Sequence, residues 1–139
     1  MSYVTRVMVF RVPFRPGVPV SEQVVYAAKK AIVSGQLRPG AAFPSVRALS
    51  RELKIHPNTA HKVIAELTSE GLLEVLPGIG TIVARRQPGS AGDRRRLLGR
   101  EVEQLVVEAK KIGVPLDAVL QAVTEHWEEL HNDELPDSH

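Results

Sequence analysis

Polar side chains able to recognise nucleic-acid bases and phosphates are gathered between residues 45 and 62. The amide of Asn58 can pair with the N6 and N7 edge of adenine, and the guanidinium of Arg47 can make a forked contact with guanine or a phosphate. Each base contact contributes about 1 to 3 kcal/mol. The hydroxyl groups of Ser45 and Thr59 suit phosphate oxygens, which position a protein on DNA without reading its sequence. An ion pair on a helix surface is the simpler alternative for Arg47.

A short helix is predicted from Ser45 to about Lys54. The Ser45 hydroxyl can accept hydrogen bonds from the free N–H groups of a first helical turn. One apolar stripe follows at intervals of three and four, formed by Val46, Leu49 and Leu53. Pro57 cannot continue a preceding helix but suits the first turn of a new one, so the chain must bend just before it.

The second helix has two distinct faces. Its apolar face consists of Ala60, Val63, Ile64 and Leu67. The opposite face carries residues spaced three, four and seven apart, which are Asn58, His61, Lys62 and Ala65. We expect this second face to be free to meet a ligand.

A hairpin follows Gly71, which ends the second helix. Its strands are predicted over residues 72–76 and 81–84, around a turn that contains Gly78 and Gly80. Both glycines would let the backbone approach a sugar-phosphate chain closely, although a plain tight turn is an equal alternative for either one. A helix, a turn, a second helix and a hairpin in this order form a winged helix-turn-helix, whose usual ligand is the major groove of DNA.

Charge divides the 139-residue chain into two halves. Residues 1–90 carry twelve Lys or Arg and five Glu, a net charge of +7, whereas residues 91–139 carry six basic and eleven acidic residues, a net charge of −5. A basic front half is typical of a polyanion binder, and phosphates would repel the acidic rear half. The chain has no cysteine and no apolar run long enough for a membrane span or a secretory signal, so a cytoplasmic location is the expectation.

The front half is predicted to span residues 1–84. Residues 4–12 are β-prone and precede the turn-forming sequence PFRPG, which indicates a short strand or an extended arm. Helical spacing over residues 20–32, closed by Gly35, predicts a helix that braces the helix-turn-helix. Leu37 and Phe43 in the next connection are expected to enter the core.

The rear half is predicted to be a linker over residues 85–92, two antiparallel helices over residues 93–132 and a frayed tail over residues 133–139. A lone pair of helices cannot hide both apolar faces, so we expect it to pair with a second copy of the chain. Folding back onto the winged domain of the same chain is the alternative. The candidate dimerisation residues are Leu98, Val102, Leu105, Val119, Val123 and Trp127.

Several motifs together resemble the GntR family of bacterial transcription regulators. The family's PSxRxL entry to the first helix corresponds to Pro44, Ser45, Arg47 and Leu49, and its GxGT wing corresponds to Gly78, Gly80 and Thr81. The likeness extends over residues 18–84. The short rear region is similar to the YtrA-like branch, which implies a mostly helical homodimeric repressor that binds a palindromic operator, often that of a transporter operon.

The resemblance also implies which residues touch DNA. By position these are Arg47, His56, Asn58, Thr59, His61 and Gly78. Two residues depart from the family pattern. His56 stands where asparagine or serine would cap the helix better, so that either the cap is weak or the imidazole contacts phosphate. Pro77 stands where many relatives have a basic residue, which puts one phosphate or minor-groove contact of the wing in doubt.

Other functions have less support in the sequence. A winged helix can serve as a protein-interaction module without binding DNA, and this is the main alternative. We predict no enzyme, because no phosphate loop, GxSxG or HExxH pattern is present. No cofactor or metal is expected, since His126 and His131 lack a clear third ligand. The sequence does not tell whether a small-molecule effector exists. Residues 94–96, all arginine, could touch DNA beside the linker or could be solvated.

Overall fold

The computed structural model describes residues 3–7 and 10–131 of the chain. Their contacts divide the chain into two compact units, the first ending at Arg86 and the second running from Gln87 to His131. The tail predicted over residues 133–139 lies outside the described residues.

The first unit consists of three helices and two antiparallel hairpins. Its elements in chain order are β1 (Tyr3–Val7), β2 (Phe10–Phe14), α1 (Val20–Val33), α2 (Val46–Leu53), α3 (Pro57–Ser69), β3 (Leu73–Leu76) and β4 (Gly80–Val83). The helices α2 and α3 followed by the β3–β4 hairpin confirm the predicted winged helix-turn-helix. The predicted bounds differ from these by one or two residues.

The N-terminal hairpin corrects the prediction of one strand or an extended arm over residues 4–12. β2 continues to Phe14, and its buried side chains alternate as Phe10, Val12 and Phe14. The strand packs against α1. The prediction stopped too early because the sequence PFRPG was assigned to a turn, whereas the two-residue alternation of a half-buried strand continues into it.

Helix α1 supports α3 from behind. Its inward face is fully or nearly buried, and α1 and α3 pack along one another. An ion pair joins the two helices where α3 ends, with Lys29 Nζ 2.9 Å from Glu70 Oε1. Because both side chains of this pair are partly exposed, the ion pair contributes little, and apolar packing on α1 holds α3 in place.

The connection between α1 and α2 holds the second hairpin against the core. The N–H of Gly40 donates to the carbonyl of Val83 at 2.8 Å, and the N–H of Phe43 donates to the carbonyl of Thr81 at 2.9 Å. The ring of Phe43 stacks on Phe10 with centroids 5.7 Å apart. Leu37 and Phe43 are both buried, as expected from the sequence. The hairpin is therefore tied by backbone hydrogen bonds to the same core as α2 and α3.

The second unit contains the C-terminal helices. They are α4 (Ala91–Arg95), a π-helical segment (Arg96–Glu101), α5 (Val102–Ile112) and α6 (Leu116–His131). α4 begins inside the segment predicted as linker, because the Ser90 hydroxyl accepts from the N–H of Asp93 while the Asp93 carboxylate accepts from the N–H of Ser90. Gly113, with φ 81°, is the C-cap of α5.

The two long C-terminal helices predicted from the sequence are present. α5 and α6 make few close backbone contacts with each other. Among the described residues of this unit, Ala109 alone is buried. A pair of amphipathic helices has too little apolar surface to bury both of their apolar faces against each other.

Candidate nucleic-acid interface

The turn between α2 and α3 is fixed by one serine and one unusual backbone conformation. The Ser50 hydroxyl donates to the carbonyl of Ile55 at 2.6 Å, and the N–H of Ile55 donates back to the carbonyl of Ser50 at 3.1 Å. Lys54 lies between them with φ 57° and ψ 47°, in the left-handed region. Among the described residues it is the one non-glycine with positive φ. These hydrogen bonds set the angle between the two helices.

Both helices of the motif begin at a side-chain cap. The Ser45 hydroxyl accepts from the N–H of Ala48 at 3.1 Å, as predicted. His56 caps α3 through Nδ1, which accepts from the N–H of Asn58 at 3.0 Å, and Pro57 is the first helical residue. To the two alternatives for His56, a weak cap or a phosphate contact, the structure therefore adds a third: a formed cap that still leaves Nε2 available.

Helix α3 presents a polar face away from the core. Its apolar face is buried by packing on α1 and α2, as the sequence predicts. The side chains of Asn58, His61 and Lys62 are exposed, and Thr59 is half-buried. None of these four side chains forms a hydrogen bond or ion pair with another described residue. Their donors and acceptors are available to an external ligand.

A second arginine lies beside Arg47 on α2. Arg47 and Arg51 are four residues apart and line one open groove, together with Val46, Ser50 and Pro57. Both guanidinium groups are exposed, and neither has an ion-pair partner in the part of the chain that the structure describes. The surface ion pair considered for Arg47 is thus not formed with those residues. Arg51 was not among the residues predicted to contact DNA, although its spacing from Arg47 places both on one helical face.

The β3–β4 hairpin ends in an open glycine turn. Gly78 has φ 78° and Gly80 has φ 131°, conformations that residues with a Cβ rarely adopt. The N–H of Ile79 donates to the carbonyl of Leu76 at 3.0 Å, which closes the turn. No described atom lies within 4 Å of the position that a Cβ would take on either glycine. The turn conformation requires the glycines, and the space beside them is open to another molecule.

The candidate dimerisation residues lie on the second unit. Five of the six are exposed, Trp127 to 73% of its surface, and Val119 is half-buried. These apolar side chains are therefore available for contact with another molecule.

Arginine at the start of the second unit is only partly paired. Arg96 donates to the Asp93 carboxylate at 3.2 Å. The backbone N–H of Ser90, followed by the Ser90 hydroxyl and Arg96, holds the pKa of Asp93 below its usual value. Arg94 and Arg95 have no ion-pair partner among the described residues.

The described residues contain no group of three or more His, Cys, Asp or Glu side chains placed to hold a metal ion. His126 instead lies 3.6 Å from the carboxylate of Glu129, one helical turn away. No described helix is both long enough and apolar enough to cross a membrane.

Comparison with known proteins assigns the sequence to a family. The family described as bacterial regulatory proteins, gntR family, matches residues 20–83. The HTH-type transcriptional repressor YtrA of Bacillus subtilis (strain 168) is 30% identical over 112 residues, which cover 80% of this chain and 86% of that relative.

Two solved structures share the fold. A transcriptional antiterminator from Listeria monocytogenes EGD-e has a TM-score of 0.80 at 19% identity, covering 96% of this chain and 100% of that chain. A transcriptional regulator from Oenococcus oeni has a TM-score of 0.58 at 25% identity, covering 82% of this chain and 95% of that chain. The family model matches residues 20–83, and the repressor from Bacillus subtilis is matched over most of its length. This chain therefore belongs to the GntR family of bacterial regulatory proteins.

Proposed function

We propose that this GntR-family regulator is a homodimeric repressor that binds a palindromic operator. The observation that carries the proposal is the unpaired polar face of α3, which lies next to the groove lined by Arg47 and Arg51. A surface of this kind on a helix-turn-helix fits the major groove, where base edges present donors and acceptors. The winged unit then covers residues 1–84, followed by a linker over residues 85–92 and a dimerising region over residues 93–132.

Base reading is assigned to the first turns of α3 and to α2. The Asn58 amide pairs with adenine, and the Arg47 guanidinium forks onto guanine or a phosphate, while His61 and Lys62 extend the same exposed face. His56 contributes its Nε2 nitrogen, since Nδ1 is engaged in the helix cap.

Positioning on the backbone is assigned to small polar groups and to the wing. Ser45 and Thr59 donate to phosphate oxygens, and Gly78 and Gly80 bring the backbone of the wing close to the sugar-phosphate chain. The wing itself carries little charge: Glu74 is the one charged residue between Leu73 and Val83. It therefore adds shape and backbone contacts more than salt-dependent affinity.

Dimerisation is assigned to the second unit. Its exposed apolar stripe supplies the surface that a second copy would cover, with Trp127 as the largest side chain. A two-fold dimer presents two copies of α3, so the operator must be palindromic, with half-site centres about 34 to 36 Å apart or a multiple of that spacing.

Repression follows from occupancy of a promoter. The relative from Bacillus subtilis is named a repressor, and regulators of the YtrA-like branch often control transporter operons; we extend both roles to this chain. A protein acting on bacterial DNA works in the cytoplasm, which is the location we propose.

The competing function is a protein-interaction module that does not bind DNA. Binding to random duplex DNA at two salt concentrations separates the two. A DNA binder loses affinity with a log-log slope of about 0.9 per phosphate neutralised, whereas an interaction module gives a flat response. In parallel, sedimentation of the free protein tests the dimer: a monomer at micromolar concentration would contradict the proposed assembly, whatever the DNA result.

A further inference from the structure

The second unit is divided by charge along its length. Residues 91–100 contain four arginines and one aspartate, a net charge of +3, whereas residues 101–131 contain two lysines and seven carboxylates, a net charge of −5. Arg85 and Arg86 precede the unit directly. Four of the six basic residues of the rear half therefore lie at the N-terminal end of the second unit, directly after the winged domain in the chain.

Most of this positive charge is not compensated by the chain. Arg85, Arg86, Arg94, Arg95 and Arg100 are exposed and lack an ion-pair partner among the described residues. Asp93, the one carboxylate within residues 85–100, is already held by Ser90 and Arg96.

Arg94 and Arg95 follow a helix start that is fixed by side chains. The capping box of Ser90 and Asp93 begins α4, and the two arginines lie in its last turn. Both side chains are exposed and lack an ion-pair partner among the described residues, so they are available to an anion from outside the chain.

We infer that the segment 85–100, the arginine segment, binds backbone phosphates of duplex DNA flanking the operator. This inference rests on the proposed function. Arg94 follows Val83, the end of the wing, by eleven residues, so the chain between them spans at most about 40 Å. One turn of B-DNA is about 34 Å long, and the arginines can therefore reach phosphates within about one turn of the wing. Guanidinium groups suit phosphate because they donate two parallel hydrogen bonds.

An anionic membrane surface is less consistent with the same residues. It would meet the arginine segment together with the acidic residues 101–131, which a negative surface repels. A DNA duplex can contact the arginine segment without contacting the acidic residues 101–131. The charge division therefore favours DNA, and membrane binding becomes an outcome of the test.

The experiment compares two double variants of the full-length protein. R94Q/R95Q removes two charges from the arginine segment, and the matched control K110Q/K111Q removes two charges from the last turn of α5 in the same unit. Salt titrations are run on operator DNA with long flanks and on DNA trimmed to the half-sites. Circular dichroism and sedimentation check that both variants keep the helix content and assembly of the wild type.

The expected result is a change in salt dependence for one variant only. On long DNA, R94Q/R95Q should lower the log-log slope by up to about 3.6 for the dimer, or about 0.9 for each of four phosphates that are no longer neutralised, and K110Q/K111Q should leave it unchanged. Trimming the flanks should lower the slope of the wild type by more than that of R94Q/R95Q, which keeps the other arginines of the segment.

Three outcomes would overturn the inference. Equal slopes for wild type and R94Q/R95Q on long DNA would do so while leaving the proposed function intact. An equal decrease in slope for both double variants would show a general charge effect. Binding of the wild type to vesicles containing phosphatidylserine, abolished in R94Q/R95Q while DNA binding is unchanged, would assign the segment to a membrane. Failure of the wild type to bind any DNA would instead remove the proposed function and this inference together.

Discussion

The imidazole of His56 caps α3 through the backbone of Asn58: Nδ1 of His56 accepts a hydrogen bond from the N–H of Asn58 at 3.0 Å. A neutral imidazole that accepts at one nitrogen carries its proton on the other, so Nε2 is a donor. One side chain thus both caps the start of α3 and leaves a donor that could form a hydrogen bond with a phosphate or a base acceptor. Asparagine or serine at this position would provide the cap, but their own donors would lie closer to the backbone than Nε2 of the imidazole does.

Two substitutions of His56 separate these roles. His56→Ala removes the cap and the donor, and should lower the free energy of unfolding by about 0.5 to 2 kcal/mol in urea. His56→Asn keeps a capping oxygen and loses Nε2, so its stability should stay close to that of the wild type while operator affinity falls. Wild-type affinity in His56→Asn would show that Nε2 makes no contact with DNA.

The left-handed conformation of Lys54 predicts a stabilising substitution. A residue with a Cβ is destabilised by roughly 1 kcal/mol or more in this region, and glycine is not. Lys54→Gly should therefore raise the free energy of unfolding by up to about 1 kcal/mol, less the entropy that glycine adds to the unfolded chain. Lys62→Gly, in the interior of α3, is the control and should lower stability by about 1 kcal/mol. If Lys54→Gly lowered the free energy of unfolding as much as Lys62→Gly does, this would contradict the backbone strain inferred at Lys54.

Local signals in the sequence predicted the helix-turn-helix well. Ser45, Pro57 and Gly71 act on the backbone within a turn of where they stand, so their effects on helix ends can be predicted without tertiary information. The strand ending at Phe14 was missed because its proline-rich sequence resembles a turn, and only packing on α1 shows otherwise.

The candidate site was predicted in part, for a similar reason. The exposed face of α3 follows from helical spacing, but the role of His56 as a cap depends on an imidazole rotamer that sequence does not specify. Arg51 was overlooked because it lies outside the motif that singles out Arg47. The exposure of apolar side chains on α5 and α6 agrees with the expectation that a lone pair of helices cannot bury both apolar faces.

Substitution of Trp127 tests whether the second unit forms the dimer interface. Its indole is 73% exposed in the single chain, so Trp127→Ala should cost the isolated fold little and weaken self-association strongly. Sedimentation at several concentrations measures the dimer, with Glu128→Ala, the adjacent exposed residue, as the control. An unchanged dissociation constant in Trp127→Ala would place the interface elsewhere.

The capping box predicts a pH-dependent helix. The hydrogen bonds from Ser90, together with Arg96, lower the pKa of Asp93 below its usual 3.8 in the folded chain. The carboxylate therefore stabilises the start of α4 fully above pH 3.8, and this contribution is lost as the pH falls through the lower folded pKa. Helix content by circular dichroism should be lower in Asp93→Asn than in the wild type at neutral pH and equal at low pH. A difference that persists after the wild-type carboxyl is protonated would assign the effect to packing.

The most direct test is a hydroxyl-radical footprint of the DNA upstream of the native gene, made at low ionic strength with wild-type protein and with Asn58→Ala. We predict two protected half-sites related by two-fold symmetry for the wild type. For Asn58→Ala we predict a loss of operator preference of about 1 to 3 kcal/mol per adenine contact, with weak nonspecific binding retained. No protection by the wild type, or an Asn58→Ala protein that protects the same half-sites with the same affinity, would contradict base reading by α3.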